Sequence, residues 1–249
     1  VFGGSTPEHI CTELVSCIMP TRNRRTFIPL ATRAFLAQDY PNKELIVIDD
    51  GTDPVADLFA SVPGTRYFRL PGAVTIGEKR NLACELARGT LIAQWDDDDW
   101  FATNRLSYQT EPLRAGNADI TGLVTDRVLV LPEGTFWTIR PALHAHMFVG
   151  DVHGGTLVFR KSLFGKHVRY PTISAGEDAA LLRAALDHGH RLRRLPNCGT
   201  FVYVRHSANA WRFDTGSYIA PNGWQRAERP DAFTHELLEH YRLAATSNA

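Results

Sequence analysis

The sequence has no run of about 18 or more apolar residues, the length a membrane-crossing helix needs, and its first residues do not read as a secretory signal. It has no excess of charge. The 27 Lys and Arg balance 27 Asp and Glu, which gives no general pull toward nucleic acid or an anionic surface. Cysteine is scarce: Cys11, Cys17, Cys84 and Cys198 form no C-x-x-C pair, and Cys17 and Cys84 sit in apolar segments. That argues against a cysteine metal site, favours buried reduced thiols and leads us to expect a cytoplasmic protein. Repeats and low-complexity linkers are missing too. At 249 residues, 44% of them apolar, the chain is expected to build one domain over 1–249.

What is present is an alternation. "LVSCIMP", "KELIVIDDG", "RYFRL" and "TLIAQW" read as strands. Between them, "FIPLATRAFLAQ" and "IGEKRNLACELARG" read as helices, the second closed by Gly89 as a C-cap, and "RLSYQTEPLRAG" reads as a third. Near-continuous apolar strands alternating with helices predict an α/β, Rossmann-like fold. Its central sheet should be mostly parallel, with helices on both faces. Residues of about 117–230 are less regular and suggest a small antiparallel sheet with a turn at "PEG". "GEDAALLRAALDHG" reads as a helix closed by Gly189, and about 231–245 as a terminal helix. Ligands of such sheets bind beyond the strands' carboxyl ends. "MPTRN", "IDDG" and "WDDDDW" all fall there, so residues far apart in sequence should meet on one edge.

Four adjacent carboxylates, Asp96 to Asp99, at the end of an apolar strand repel one another. They make chemical sense around a hard cation. Mg2+ or Mn2+ takes oxygen ligands and is typically held by one or two carboxylates plus substrate phosphates. An acidic turn is the plainer alternative.

"VSCIMPTRNR", "LAQDYPNKELIVIDDGT", "EKRNLACELARGTLIAQWDDDDW" and "GEDAALL" stand in the order and spacing of the glycosyltransferase family 2 pattern. The resemblance runs from about Val15 to His206 and implies a GT-A fold transferase using a nucleotide sugar. Carried onto matching positions, it places Pro20 and Arg22 at the nucleotide-base rim and Asp50 on the base. Arg80, with Lys79 as a possible sharer, falls beside base and phosphates. It reads Asp96 and Asp98 as the D-x-D metal element, and Asp97 on ribose hydroxyls. Asp99 is expected to cap the following helix near Thr103. Asp178 is implied as the general base that takes the acceptor's proton, and Glu177 as its neighbour supporting the helix or orienting acceptor. His206 is implied as a late metal or diphosphate ligand, a surface histidine being equally open. Arg205 and Arg212 would neutralise diphosphate as the loop 207–225 closes. His153, Gly154 and Gly155 fall where the family places acceptor-side glycines, and Trp137 is a candidate stacking platform or else core packing.

The expectation is a metal-dependent transferase with Mn2+ or Mg2+. It would move a sugar, with inversion, from a UDP, GDP or dTDP sugar to a hydroxyl-bearing small molecule or glycan. A sugar nucleotidyltransferase is the runner-up, although "PTRNRRT" lacks the glycine-rich loop such enzymes use. A non-catalytic nucleotide-sugar-binding module is the third reading, and would not need the intact "GED". No nucleic-acid partner is expected, and a homo-oligomer stays open.

Overall fold

In a computed structural model, the chain is described over residues 13–125 and 127–247. Cys11 lies outside the described residues. In chain order the elements begin β1 (Val15–Thr21), α1 (Ile28–Leu36), β2 (Lys43–Asp49), β3 (Thr65–Arg69), α2 (Ile76–Leu86), β4 (Leu91–Gln94), β5 (Trp100–Phe101), α3 (Arg105–Arg114) and β6 (Ile120–Val124). They continue with β7 (Val128–Val130), β8 (Thr135–Ile139), α4 (Pro141–Met147), β9 (Val158–Arg160), α5 (Glu177–Asp187), β10 (Leu192–Pro196), β11 (Phe201–Arg205), β12 (Trp224–Ala227) and α6 (His235–Thr246). Among the described residues, no helix is long and apolar enough to cross a membrane.

Seven strands form the central sheet in the order β10-β6-β9-β4-β1-β2-β3. β4, β1, β2 and β3 run parallel, as do β10 and β6, and β9 lies antiparallel between β4 and β6. Side chains on a strand point alternately to its two faces, and both faces are dry. Val15, Cys17 and Met19 of β1 join Leu45 and Val47 of β2 under α1 and α3. Ile18, Ile46 and Ile48 face the other way, onto Ala83 and Cys84 of α2 and Leu181 and Leu182 of α5. That two-sided burial is why these strands read as unbroken apolar runs. α2 starts at a reciprocal cap: Thr75 accepts from the Glu78 amide, and Glu78 reaches back to the Thr75 amide.

The second sheet, β12-β8-β7-β11-β5, departs from the expected antiparallel one, since β7 and β11 run parallel. Nor do the chain's two halves stay apart. β6, β9 and β10 extend the central sheet from the second half, and β5 of the first half pairs with β11. A third apolar cluster, including Trp100, Val202, Val204, Phe233 and Tyr241, seats α6 on this second sheet.

Gly89 is not a helix cap. α2 ends at Leu86 with Ala87 in the capping position. Gly89 instead passes close to β1, donating its amide to Ser16 Oγ at 2.9 Å. A Cβ there would lie 2.4 Å from the Leu14 carbonyl oxygen and 2.9 Å from the Ser16 nitrogen. Backbone on both sides leaves nothing flexible to yield. Both Gly89→Ala and Gly89→Asn should therefore lower stability by about 1–3 kcal/mol, read from thermal melts. A Gly89→Asn variant as stable as the parent would return the residue to a capping role, which Asn tolerates.

Candidate functional site

Beyond the carboxyl ends of β1, β2 and β4, a pocket of about 750 Å³ opens between the two sheets and the start of α5, within the usual range for a small-molecule site. Pro20, Arg22, Arg24, Lys79, Arg80, Asp96 to Asp99, His153 to Gly155, Glu177 and Asp178 are among its lining residues.

The aspartate run crosses from one sheet to the other. Trp95 keeps a last ladder bond, donating its amide to the Ile18 carbonyl at 3.0 Å. Asp99 Oδ1 then accepts the Val204 amide of β11 at 2.8 Å, and Tyr241 of α6 donates to the Asp99 carbonyl at 3.0 Å. Asp99 is thus a buried tie between the sheets. It does not cap α3, whose N-cap is Asn104. The other three each have their own partner. Arg80 Nη2 lies 2.7 Å from Asp96 Oδ1, and Thr21 Oγ1 donates to Asp97 Oδ2 at 2.6 Å. Asp98 Oδ2 meets His206 Nε2 at 3.0 Å, Asn209 Nδ2 at 3.2 Å and Arg24 Nη1 at 3.3 Å.

These partners split the four acidities. Burial pushes Asp96 up against the pull of Arg80, and it raises Asp99 well above the usual carboxylate range with repulsion from Asp98 and Asp96. Asp97 is pushed up to about 7 by burial and the charge of Asp98. Burial would raise Asp98 too, but the His206 bond and Arg24 outweigh it and hold the group at about 2. Negative charge therefore concentrates on Asp98.

Among the described residues no three His, Cys, Asp or Glu side chains are gathered into a cage for a metal. Of the expected ligand set, Asp98 and His206 are brought together while Asp96 turns to Arg80. Two carboxylates lining the pocket, with the His206 imidazole against Asp98, still fit Mn2+ or Mg2+, whose remaining positions water and substrate phosphate would fill.

On the other flank, Asp50 is shut from solvent. Lys79 Nζ donates to Oδ1 at 2.7 Å, the Val74 amide donates to Oδ2 at 2.9 Å, and Arg22 stands 4.0 Å away. Asp50 lies behind Lys79 and Val74, which line the pocket, and is not itself among the lining residues. The turn carboxylate before Gly51 is Asp49, which accepts the Gly51 amide at 2.8 Å.

Facing the aspartates, α5 delivers two acids in different settings. Glu177 is buried, and its Oε1 accepts from Arg80 Nε at 3.1 Å. It ties α5 to α2 from the pocket wall. Asp178 is half-buried, with Oδ1 accepting the Ala179 amide at 2.6 Å. The two glycines make the room. A Cβ on Gly154 would lie 1.9 Å from Asp178 Oδ2, and one on Gly155 2.6 Å from Asp96 Oδ2. Any side chain at either position would displace a carboxylate. His153 beside them is held by Phe148, Phe201 and Tyr203, with ring centroids 4.4–5.2 Å away. Burial, with His144, Arg205 and Arg80 nearby, lowers it to about 3, so the ring is neutral.

His206, like Asp50, sits behind the lining, and three more expected residues stay out of the pocket. Trp137, on β8, lies under Arg226, whose guanidinium is 4.1 Å from the ring centre, and against Gly216. Arg205 is buried and donates to the Trp211 carbonyl at 2.6 Å and the Phe213 carbonyl at 3.3 Å. It pins the following segment instead of facing a diphosphate. Arg212 is exposed and lines nothing in the pocket. The segment 207–225 packs on itself through Trp211, Phe213 and Tyr218, and its end joins β12. Arg24 and Asn209, both on Asp98, were not singled out in the sequence. Nothing in "PTRNRRT" separates Arg24 from Arg25, which leaves the site for Asp53 and Asp57 at 2.9 and 2.8 Å.

Comparison with known proteins adds the following. The Glycosyl transferase family 2 profile matches residues 16–181. "UDP-Glc:alpha-D-GlcNAc-diphosphoundecaprenol beta-1,3-glucosyltransferase WfaP" of Escherichia coli is 33% identical over 100 residues, 39% of this chain and 40% of that protein. "Succinoglycan biosynthesis protein ExoO" of Rhizobium meliloti is 25% identical over 214 residues, 78% of this chain and 62% of the other. The chain thus spans only part of the length of these relatives. In three dimensions it is similar to S. aureus TarS 1-349 in complex with UDP-GlcNAc. The TM-score is 0.64 at 17% identity, covering 81% of this chain and 62% of that one.

The Arg80–Glu177 tie carries a pH signature. Burial pushes Glu177 from 4.5 up to about 7 against the pull of Arg80, with Asp178 adding repulsion. A carboxyl raised in the fold contributes fully below its unfolded value, and the contribution is lost as pH rises through about 7. Glu177→Gln keeps an acceptor for Arg80 without the charge. It should be more stable than the parent near pH 8 by on the order of 1 kcal/mol, and the gain should vanish near pH 4. Urea melts at both values check this. No gain at the higher pH would mean that Arg80 keeps Glu177 ionised.

Proposed function

This chain belongs to glycosyltransferase family 2 and has its GT-A fold, and on that premise we propose that it moves a sugar from a nucleoside diphosphate sugar to a hydroxyl acceptor. One observation carries the reading: Asp96, Asp98 and a half-buried Asp178 line a single pocket with Gly154 and Gly155, and His206 backs Asp98 from behind that lining. The arrangement separates a place for a leaving diphosphate from a place for an incoming hydroxyl. A UDP-type donor is favoured over GDP or dTDP, since one relative is named for UDP-Glc and a structural neighbour was solved with UDP-GlcNAc. Buried Cys17 and Cys84 suit a reducing, cytoplasmic setting.

In this reading, Pro20, Arg22 and Lys79 border the nucleotide base, with Asp50 fixing Lys79 from behind. Asp97, held by Thr21, lies at the ribose. Arg80 keeps one buried nitrogen, Nη1, without a hydrogen-bond partner and presents it as a donor toward phosphate. Asp98 and His206, with Asp96 nearby, would hold a Mn2+ or Mg2+, which would supply positive charge for the departing diphosphate. Asp178 takes the proton of the acceptor hydroxyl as its oxygen bonds to the anomeric carbon, and the bond to the diphosphate breaks with its electron pair leaving on phosphate oxygen. Attack from the face opposite the leaving group inverts the anomeric centre. The partial exposure of Asp178 gives an acceptor access.

Two measurements test this. Asp178→Asn keeps shape and removes basicity, so kcat should fall by about 10²-fold or more with donor affinity nearly unchanged. Wild-type turnover would make Asp178 a helix-start residue only and place the base on another residue. Chelation with EDTA should abolish transfer and added Mn2+ or Mg2+ should restore it, while Asp98→Ala should stay folded and inactive. Full activity in chelator would defeat the metal assignment.

A further inference from the structure

Arg24 stands where a cation would bind. Its side chain is 14% exposed, and Nη1 lies 2.8 Å from His206 Nε2 and 3.3 Å from Asp98 Oδ2. Nη2 donates to the Ala208 carbonyl. The surroundings keep His206 in place: its ring stacks on Phe27 at 4.7 Å, and its amide donates to Asn209 Oδ1 at 2.6 Å. Asn209 in turn reaches Asp98.

This cluster asks contradictory things of one atom. Arg24 offers a proton to His206 Nε2, and Asp98 offers a lone pair to the same nitrogen. The Ala208 amide, 3.3 Å from Nδ1, favours a lone pair on Nδ1 and so the proton on Nε2. Nε2 then suits Asp98 and meets a like N–H from Arg24. With the tautomer reversed, Nε2 suits Arg24 and opposes Asp98. Neither arrangement satisfies both contacts. A divalent ion between Asp98 and His206 would satisfy them, but it cannot share Asp98 Oδ2 and His206 Nε2 with a guanidinium.

Resting on the metal-dependent reading above, we propose that Arg24 is the site's resident cation, displaced from Asp98 and His206 when a divalent ion enters with a diphosphate, and taken up by that diphosphate. Arg80 has only Nη1 to offer, its Nε and Nη2 being held by Glu177 and Asp96, and Lys79 is held by Asp50, whereas the whole Arg24 fork is freed by the same event that brings the phosphate oxygens. Its planar fork matches two of them. Ion and diphosphate then bind cooperatively: each removes the obstacle to the other, and the ion by itself competes with a tethered charge. By linkage the coupling is reciprocal.

Free-ion Mn2+ titrations by electron paramagnetic resonance, with and without UDP, test this on the parent, Arg24→Gln and Arg24→Lys, each checked by thermal melt. In the parent, UDP should tighten Mn2+ binding by about tenfold or more, and Mn2+ should tighten UDP by the same factor. Arg24→Gln should bind Mn2+ alone about tenfold more tightly than the parent, with the coupling reduced to about threefold or less. Arg24→Lys, which keeps the charge and loses the fork, should fall between. Equal Mn2+ affinity of parent and Arg24→Gln without UDP, or an unchanged coupling, overturns the proposal while leaving the metal reading intact. If Mn2+ fails to bind either protein even with UDP, the metal reading fails and the proposal with it.

Discussion

Packing four consecutive carboxylates, Asp97 and Asp99 buried and Asp96 and Asp98 partly so, at the junction of two sheets is the constraint around which the rest of this structure is arranged. Left together in a dry environment, Asp96 to Asp99 would repel one another strongly. The fold resolves this by giving each a different partner on a different element: Arg80 of α2, Thr21 of β1, the Arg24–His206–Asn209 group, and the amide of Val204 in β11. The run also serves as the chain's passage from β4 in the central sheet to β5 in the second. Asp99, tied to Val204 and Tyr241, is the member of the run on which the packing of both sheets depends.

The same economy governs the opposite wall. α5 begins where its acids are needed, and its positive end suits them, but the two neighbouring acids diverge. Glu177 turns inward to Arg80 and ties α5 to α2. Asp178 turns to the pocket because Gly154 leaves it space. Gly154 and Gly155 matter for what they lack, since a methyl group at either would occupy the place of a carboxylate oxygen. Positive charge is distributed with equal care. Lys79 and Arg80 are adjacent on α2 yet serve different acids, Asp50 and Asp96, and Arg24 serves Asp98.

The segment after His206 shows how little composition says about packing. It is polar and contains glycine, as loops do, but Trp211, Phe213 and Tyr218 gather on one another and Arg205 fastens their carbonyls. Trp211 thereby reaches the pocket rim while Arg212 faces solvent. A reader of the chain would choose the charged residue for the site, yet the structure places the aromatic there.

The sequence by itself determined the central sheet, because strands covered on both faces must be apolar at successive positions and helices between them must show one apolar stripe. It also determined which edge holds the ligand site, because apolar strands ending in carboxylates identify their own carboxyl ends. Through its family resemblance it implied Asp178 as base and Asp96, Asp98 and His206 as metal ligands, with His206 equally open as a surface histidine. Only the tertiary structure decided how the acids divide their work, since acidity depends on burial and on partners distant in sequence. It set Asp98 low and Asp97 near 7, and put Asp50 behind Lys79. It removed Trp137 and Arg205 from the site and made Gly89 a point of close contact with β1. Arg22, Arg24 and Arg25 make the reason plain. Nearly adjacent and chemically identical, they end half-exposed at the pocket rim, on Asp98, and on Asp53 with Asp57. Which guanidinium meets which carboxylate follows from the direction of each side chain off one short loop, and that of Arg24 is fixed by contacts with Phe27, His206 and Ala208, two of them brought from the far end of the chain.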